Sequence, residues 1–140
     1  MDAFDADVLI YAAVDGHPLG ARVRALFPPG PMGPSDAFAG IGSVLLLPEL
    51  LSKPTRAEAG DDLAKLDALL GRMDLLPVDR ATAELATAMG ASYRLRAADA
   101  VHLATAVAGG ADRFLTNNRS DFSTSITEIH VVYPDELPDR

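Results

Sequence analysis

Short apolar segments alternate along the chain with longer stretches whose apolar positions recur at helical spacing, a pattern that predicts an α/β domain built on a parallel sheet. Ala3–Asp5 reads as a first strand, followed directly by a helix over Val8–Val14, with a second helix expected over Leu19–Phe27. Pro28-Pro29-Gly30-Pro31-Met32-Gly33-Pro34 can continue neither element and must be loop, although neither flank is long enough to make it a domain boundary. A strand is expected near Phe38–Ile41. Ser43 then offers a cap for a helix through Val44, Leu45, Leu46 and Leu47 to Leu51, with Pro48 as a kink or restart. Thr55-Arg56-Ala57-Glu58 has capping-box spacing and predicts a further helix that carries Leu63, Leu66, Leu69 and Leu70 on one face and ends near Gly71.

Asp74–Val78 reads as a short strand and Asp79 as the cap of a helix reaching about Tyr93. Ala97–Ala108 is apolar around nearly its whole circumference and is stopped by Gly109-Gly110, the pattern of a buried helix. Arg113–Thr116 is then expected as a strand, Asn117–Phe122 as a loop or single turn, and Glu128–Val132 as a last strand before a Pro-rich tail.

Acids break this apolar pattern at three places: Asp5, Glu49 and Asp99. A carboxylate taken out of water is costly without a compensating partner. Asp5 at the end of a strand would lie at the carboxyl edge of the sheet, where open α/β folds place their ligands. Asp99 falls in the first turn of its helix, where the helix dipole favours an anion, and Glu49 sits on a helix able to pack across the same edge. Two carboxylates ~4 Å apart repel by about 4 kcal/mol at an effective dielectric near 20, so their convergence calls for a cation. With no cysteine and only three histidines in the chain, oxygen ligands point to a hard ion, Mg²⁺ or Mn²⁺.

Composition narrows the picture. At 140 residues and 49% hydrophobic content the chain is expected to form a single domain over residues 1–140 with a real core. The absence of cysteine fits a reducing compartment, and the cytoplasm is the expected location. No basic leader precedes a long apolar stretch, and no apolar run approaches the roughly 20 residues that cross a bilayer, so neither export nor membrane insertion is expected. The net charge of −8 argues against a broad basic surface for nucleic acid, but bound divalent ions would reverse the local potential where a phosphate approaches.

Four segments together resemble the PIN-domain family. Phe4-Asp5-Ala6-Asp7-Val8-Leu9-Ile10-Tyr11 looks like its opening, Leu46-Leu47-Pro48-Glu49-Leu50 like its second acidic motif, Ala97-Ala98-Asp99-Ala100-Val101-His102-Leu103-Ala104 like its third, and Phe114-Leu115-Thr116-Asn117-Asn118-Arg119-Ser120-Asp121-Phe122 like its fourth block. They occur in the family's order and span essentially the whole chain. The resemblance implies a three-layer α/β/α sandwich with a central, mostly parallel sheet of four to five strands. It also implies a Mg²⁺- or Mn²⁺-dependent endoribonuclease of the VapC type, the toxin of a toxin–antitoxin pair. Asp5, Glu49 and Asp99 carry over as metal ligands, Thr116 as a group orienting water or phosphate, and Asn118 as the residue standing where many relatives have Asp. Asn118 still offers a carbonyl oxygen and Asp121 a nearby charge, so the resemblance implies one tightly held ion and a weakened second site. RNA substrate, a small antitoxin and a homodimer formed through helices near Leu19–Phe27 and Leu45–Leu70 are the implied partners.

Plainer roles stand beside these. Asp5 and Asp7 can cap the helix that follows them, with Asp7 also placed to accept a hydrogen bond near the site. His102, one turn after Asp99, reads as a core histidine or a support for the acids, and His17 and His130 as structural. Arg94, Arg96 and Arg119 are solvated charges or contacts to an RNA backbone. Two other functions compete. A haloacid-dehalogenase-like phosphatase would use Asp5 as nucleophile and Asp7 as acid, but it needs a later lysine and acid pair, and the only lysines are Lys53 and Lys65. A catalytically weakened binding module of the same fold would explain the missing fourth acid.

Overall fold

The computed structural model describes residues 1–30, 32, 33 and 35–139. Five strands form one all-parallel sheet: β1 (Asp2–Phe4), β2 (Gly40–Ser43), β3 (Met73–Leu76), β4 (Arg113–Leu115) and β5 (His130–Val132), in the order β3-β2-β1-β4-β5. Six helices connect them: α1 (Ala6–Ala13), α2 (Pro18–Arg24), α3 (Leu46–Arg56), α4 (Gly60–Leu70), α5 (Arg80–Tyr93) and α6 (Ala97–Ala108). A 3₁₀ turn at Pro134–Glu136 follows β5.

Each strand points alternate side chains to opposite faces, and both faces are covered. Phe4, Leu115 and Val132 join the helices α1 to α4 in one core, with Phe4 against Phe27 at 5.0 Å between ring centroids. Ala3, Ile41, Phe114 and Val131 join α5, α6 and the β4–β5 connection in the other, with Phe114 edge-on to Phe122 at 5.0 Å. This is the three-layer α/β/α arrangement. The all-round apolar α6 is buried from His102 to Ala106, as its composition requires. Asp2 and Arg113 face each other across β1 and β4 and form a two-pronged ion pair at 2.7 and 2.9 Å.

Several boundaries differ from those expected, each for a local reason. β1 ends at Phe4 because Asp5 leaves the strand to cap α1, its carboxylate accepting the Ala6 N–H at 2.8 Å. β2 lies two residues later than expected, and Phe38 is left exposed. Ser43 does accept the Leu45 N–H, at 3.1 Å, but it ends β2 and α3 begins only at Leu46. Pro48 therefore falls in the first turn, where no helical N–H bond is lost, and neither kinks nor restarts the helix. The capping-box reading of Thr55–Glu58 is overturned: α3 runs through Pro54 to Arg56, and Glu58 adopts a left-handed backbone (φ 53°) that ends it. α4 starts at Gly60 instead and buries Leu66, Leu69 and Leu70. Of the breaker segment, Pro31 and Pro34 lie outside the described residues, and the remainder is irregular.

Gly20 shows why the α1–α2 pair is so close. A Cβ there would stand 1.9 Å from the Tyr11 carbonyl oxygen, so only glycine permits this crossing. His17 caps α2 by accepting the Gly20 N–H at 3.1 Å and stacks on Tyr11 at 4.4 Å, a structural role as expected.

Candidate active site

The chain order reverses at β1: β2 and β3 extend the sheet to one side, then the chain returns to place β4 and β5 on the other. A crevice opens at such a switch point, outside the carboxyl ends of the strands. Asp5 follows β1 there and Thr116 follows β4, and the two side chains meet: the Thr116 hydroxyl donates to Asp5 Oδ2 at 2.8 Å while Oδ1 keeps the cap bond to Ala6. Asp5 is 5% exposed and Thr116 fully buried. Burial pushes the Asp5 carboxyl up to about 7, with the charge of Asp7 adding to it; the Thr116 hydroxyl, His102 and the Ala6 N–H act in the other direction.

Asp7 stands one turn into the same constellation. Its Oδ2 accepts the Asn117 N–H at 2.9 Å, which ties α1 to the fourth segment, while its buried Oδ1 has no partner among the described residues. Burial raises its pKa, and the charge of Asp99 adds to that. Asp99, partly buried in the first turn of α6, is raised by burial and then by Asp121 and Glu49, against the lowering pull of His102 and Arg96. Acids from α1, α3, α6 and the β4–β5 connection thus act on one another at a single edge of the sheet.

Glu49 reaches this edge through a contact that spacing along the chain does not announce. His102 Nε2 donates to Glu49 Oε2 at 2.7 Å, joining a side chain 1% exposed to one 37% exposed, across 53 positions of sequence. A carboxylate can only accept, so Nε2 carries the proton in this bond. His102 is therefore a support for an acid rather than a plain core residue.

The side chains of the fourth segment are engaged with one another and with Asp5. Thr116 is enclosed behind Asp5, its hydroxyl donating to that carboxylate and also accepting the Asn118 N–H at 3.1 Å. Asn118 is occupied within its own loop: its amide oxygen accepts from Ser120 Oγ at 3.0 Å and from the Asp121 N–H at 3.3 Å, and its amide nitrogen donates to Asp121 at 2.9 Å. Arg119 pairs with Asp135 at 2.6 Å and lies 4.2 Å over the Tyr133 ring. Arg96 precedes α6 close enough to lower the pKa of Asp99, and Arg94 takes the left-handed backbone that ends α5. Among the described residues no three His, Cys, Asp or Glu side chains close around one point at ligand spacing.

The family model of the PIN domain matches residues 3–124. The chain belongs to the PIN-domain family. This PIN domain also superposes on a toxin–antitoxin complex from Klebsiella pneumoniae with a TM-score of 0.71 and 22% identity, covering 96% of this chain and 98% of the other. At that identity the likeness is one of fold. No curated protein matches the chain. Family membership sets aside the phosphatase alternative; of the two lysines, Lys65 pairs with Asp15 at 2.8 Å and Lys53 lines a cleft between α1, α3 and α4. Among the described residues no helix of this PIN domain is long and apolar enough to cross a membrane.

Proposed function

We propose that this PIN domain is a Mg²⁺- or Mn²⁺-dependent endoribonuclease and the toxin of a VapBC-type toxin–antitoxin pair. The observation that carries the reading is the gathering of Asp5, Asp7, Asp99, Glu49 and Asp121 at the switch point of the sheet, where burial first, and then the charge of neighbouring acids, holds Asp5, Asp7 and Asp99 above the ordinary carboxylate range. A protein maintains such a cluster at a cost unless a cation offsets it. The donor set fits a hard ion: all oxygen, with one buried acceptor of Asp7 lacking a donor. The open arrangement also suits Mg²⁺, which usually binds through one or two carboxylates and keeps several waters.

Asp5, Asp99 and Glu49 would hold the ion, with Asp121 at the margin. When bound, it would acidify a coordinated water and stabilise the charge that develops on a scissile phosphodiester. The chain's own contribution is positional. Ala6 and Thr116 fix both oxygens of Asp5, His102 holds Glu49, and Arg96 stands beside Asp99 where a phosphate would arrive. Arg119, engaged by Asp135 and Tyr133, is less free to do so.

The antitoxin is proposed to dock in the cleft of about 360 Å³ between α1, α3 and α4. Ile10 and Val14, each 47% exposed, lie on its α1 side and Glu49 on its wall. An amphipathic helix would cover the first two, and a cation on it would meet the third. Homodimerisation is proposed through α3, where Leu47 in the first turn and Val44 just before the helix are exposed. We further propose a cytoplasmic location and one domain over the whole chain.

Incubation with structured RNA under metal titration tests the enzyme. Cleavage that requires Mg²⁺ or Mn²⁺ and vanishes in folded Asp5→Asn and Asp99→Asn is expected. Metal binding without cleavage would instead favour the weakened binding module, a reading that the self-engaged Asn118 supports.

A further inference from the structure

Three buried side-chain atoms have no hydrogen-bond partner among the described residues: Asp7 Oδ1, His102 Nδ1 and Thr105 Oγ1. The first belongs to the acidic edge. The other two stand three residues apart on α6, on residues that are 3% and 2% exposed. His102, Thr105 and Gly109 recur at spacings of three and four and so share one face of the helix. That face lies on the sheet, because a Cβ at Gly109 would stand 2.5 Å from Ile41 Cδ1 and 2.8 Å from Leu76 Cδ1. Ser43 follows Ile41 by two residues, on the same side of β2, and is 1% exposed. Two residues of strand and four of helix both advance by about 6 Å, so Ser43 comes level with Thr105, nearer the carboxyl edge than Ile41 and Gly109.

The two α6 atoms are chemically complementary. His102 Nε2 carries the proton that Glu49 accepts at 2.7 Å, so Nδ1 is left as a bare acceptor. Thr105 Oγ1 has a hydrogen to donate, and it does not turn back to the carbonyl four residues earlier, a bond open to any helical threonine. Leaving both unanswered in the core is unfavourable. Side chains at this spacing start from Cβ atoms about 5–6 Å apart. A water molecule hydrogen-bonded to two groups spans about the same distance.

We propose that a buried water joins Thr105 Oγ1 to His102 Nδ1, accepting from the hydroxyl and donating to the ring, and that Thr105 is thereby a positioning residue for Glu49. The Ser43 hydroxyl, at the same level and already accepting the Leu45 N–H at 3.1 Å, is the third partner of this water. A chain of hydrogen bonds then runs from the core through Thr105, water and His102 to the acidic edge. Bonding at Nδ1 holds the ring in place and fixes the tautomer that presents its proton to Glu49. The consequence, a better-held metal ligand, rests on the nuclease reading; the bridge itself does not.

High-resolution crystal structures of the metal-free chain and of Thr105→Val, with nitrogen magnetic resonance of the His102 ring in EDTA, test the bridge. Density for one water within hydrogen-bond distance of both atoms is expected in the parent and not in Thr105→Val, which keeps the volume and removes the hydroxyl. The Nδ1 resonance should move in Thr105→Val towards that of an unbonded ring nitrogen and return in Thr105→Ser. Calorimetric titration with Mn²⁺ reads the consequence: affinity should fall roughly threefold to tenfold in Thr105→Val and recover in Thr105→Ser. A well-ordered site without the water, or an Nδ1 resonance that is the same in the parent and Thr105→Val, overturns the bridge. Unchanged Mn²⁺ affinity in Thr105→Val overturns the positioning role, as does an equal loss in the valine and serine variants, which would assign the effect to packing. A parent chain that binds no Mn²⁺ would refute the metal reading and the positioning role with it, while the density and the resonance still decide the bridge.

Discussion

Replacing Asp5 by Asn should stabilise the metal-free protein at neutral pH and slightly weaken it in acid. Native Asp5 titrates at about 7, against an ordinary value of 3.8, because it is buried and faces Asp7. Between those two pH values the native chain holds a proton that the unfolded chain has released, so stability falls as pH rises and levels off above about 7. At roughly 1.4 kcal/mol per pH unit the interval amounts to about 4 kcal/mol. The introduced carboxamide would keep the acceptor for the Ala6 N–H and could donate its N–H to the Thr116 hydroxyl, reversing that bond at a loss of about 1 kcal/mol. The net expectation is a gain of about 2–3 kcal/mol at pH 7.5 in EDTA, or roughly 5–10 °C in melting temperature for a chain of this size. Below pH 3.8 the gain should disappear and only the loss of about 1 kcal/mol should remain. Urea titrations of both proteins at pH 3.5, 5.5 and 7.5 read this directly, and added Mg²⁺ should close the gap by stabilising only the parent. A variant no more stable than the parent at pH 7.5, or a difference that does not change with pH, would refute the electrostatic reasoning.

Three further substitutions probe the supports around the acids. His102→Leu should lower RNA cleavage about 10–100-fold and raise the Mg²⁺ midpoint, with His102→Gln restoring most of both because its amide can still donate to Glu49; equal loss in the two variants would mean that packing, not the hydrogen bond, matters. Thr116→Val keeps the volume but removes the hydroxyl shared by Asp5 and Asn118, and urea denaturation should show a loss of about 1–3 kcal/mol. A change within about 0.5 kcal/mol would show that the bond contributes little. Asn118→Asp adds a charge beside Asp121 and should enlarge the Mn²⁺-induced rise in melting temperature while lowering stability in EDTA; an unchanged response to metal would place this loop outside the ion's reach.

What could be read from the sequence was whatever depends on local chemistry. The largely apolar circumference of Ala97–Ala108 pointed to a buried helix, which it is from His102 to Ala106, and Asp79 caps α5 by accepting the Thr82 N–H at 2.8 Å, as its position suggested. Thr55–Glu58 misled because the spacing of a capping box says nothing of backbone angle, and Glu58 turns left-handed where a helix was expected to begin. At the site, cap and ligand looked like rival roles for Asp5, yet a carboxylate has two oxygens: one caps α1 while the other meets Thr116. The contacts that stayed hidden are those made by tertiary packing. His102 finds Glu49 only when α3 and α6 meet at the sheet edge, and Asn118 spends its amide on its own turn for reasons of loop geometry.

A crystal grown with Mn²⁺ and measured at the manganese absorption edge tests the shared-cation claim most directly. An anomalous peak within ligand distance of Asp5 and Asp99, with Glu49 bonded to it directly or through water, is the predicted result. A well-ordered acidic edge without a peak at millimolar Mn²⁺, or manganese bound only elsewhere on the molecule, would contradict the account.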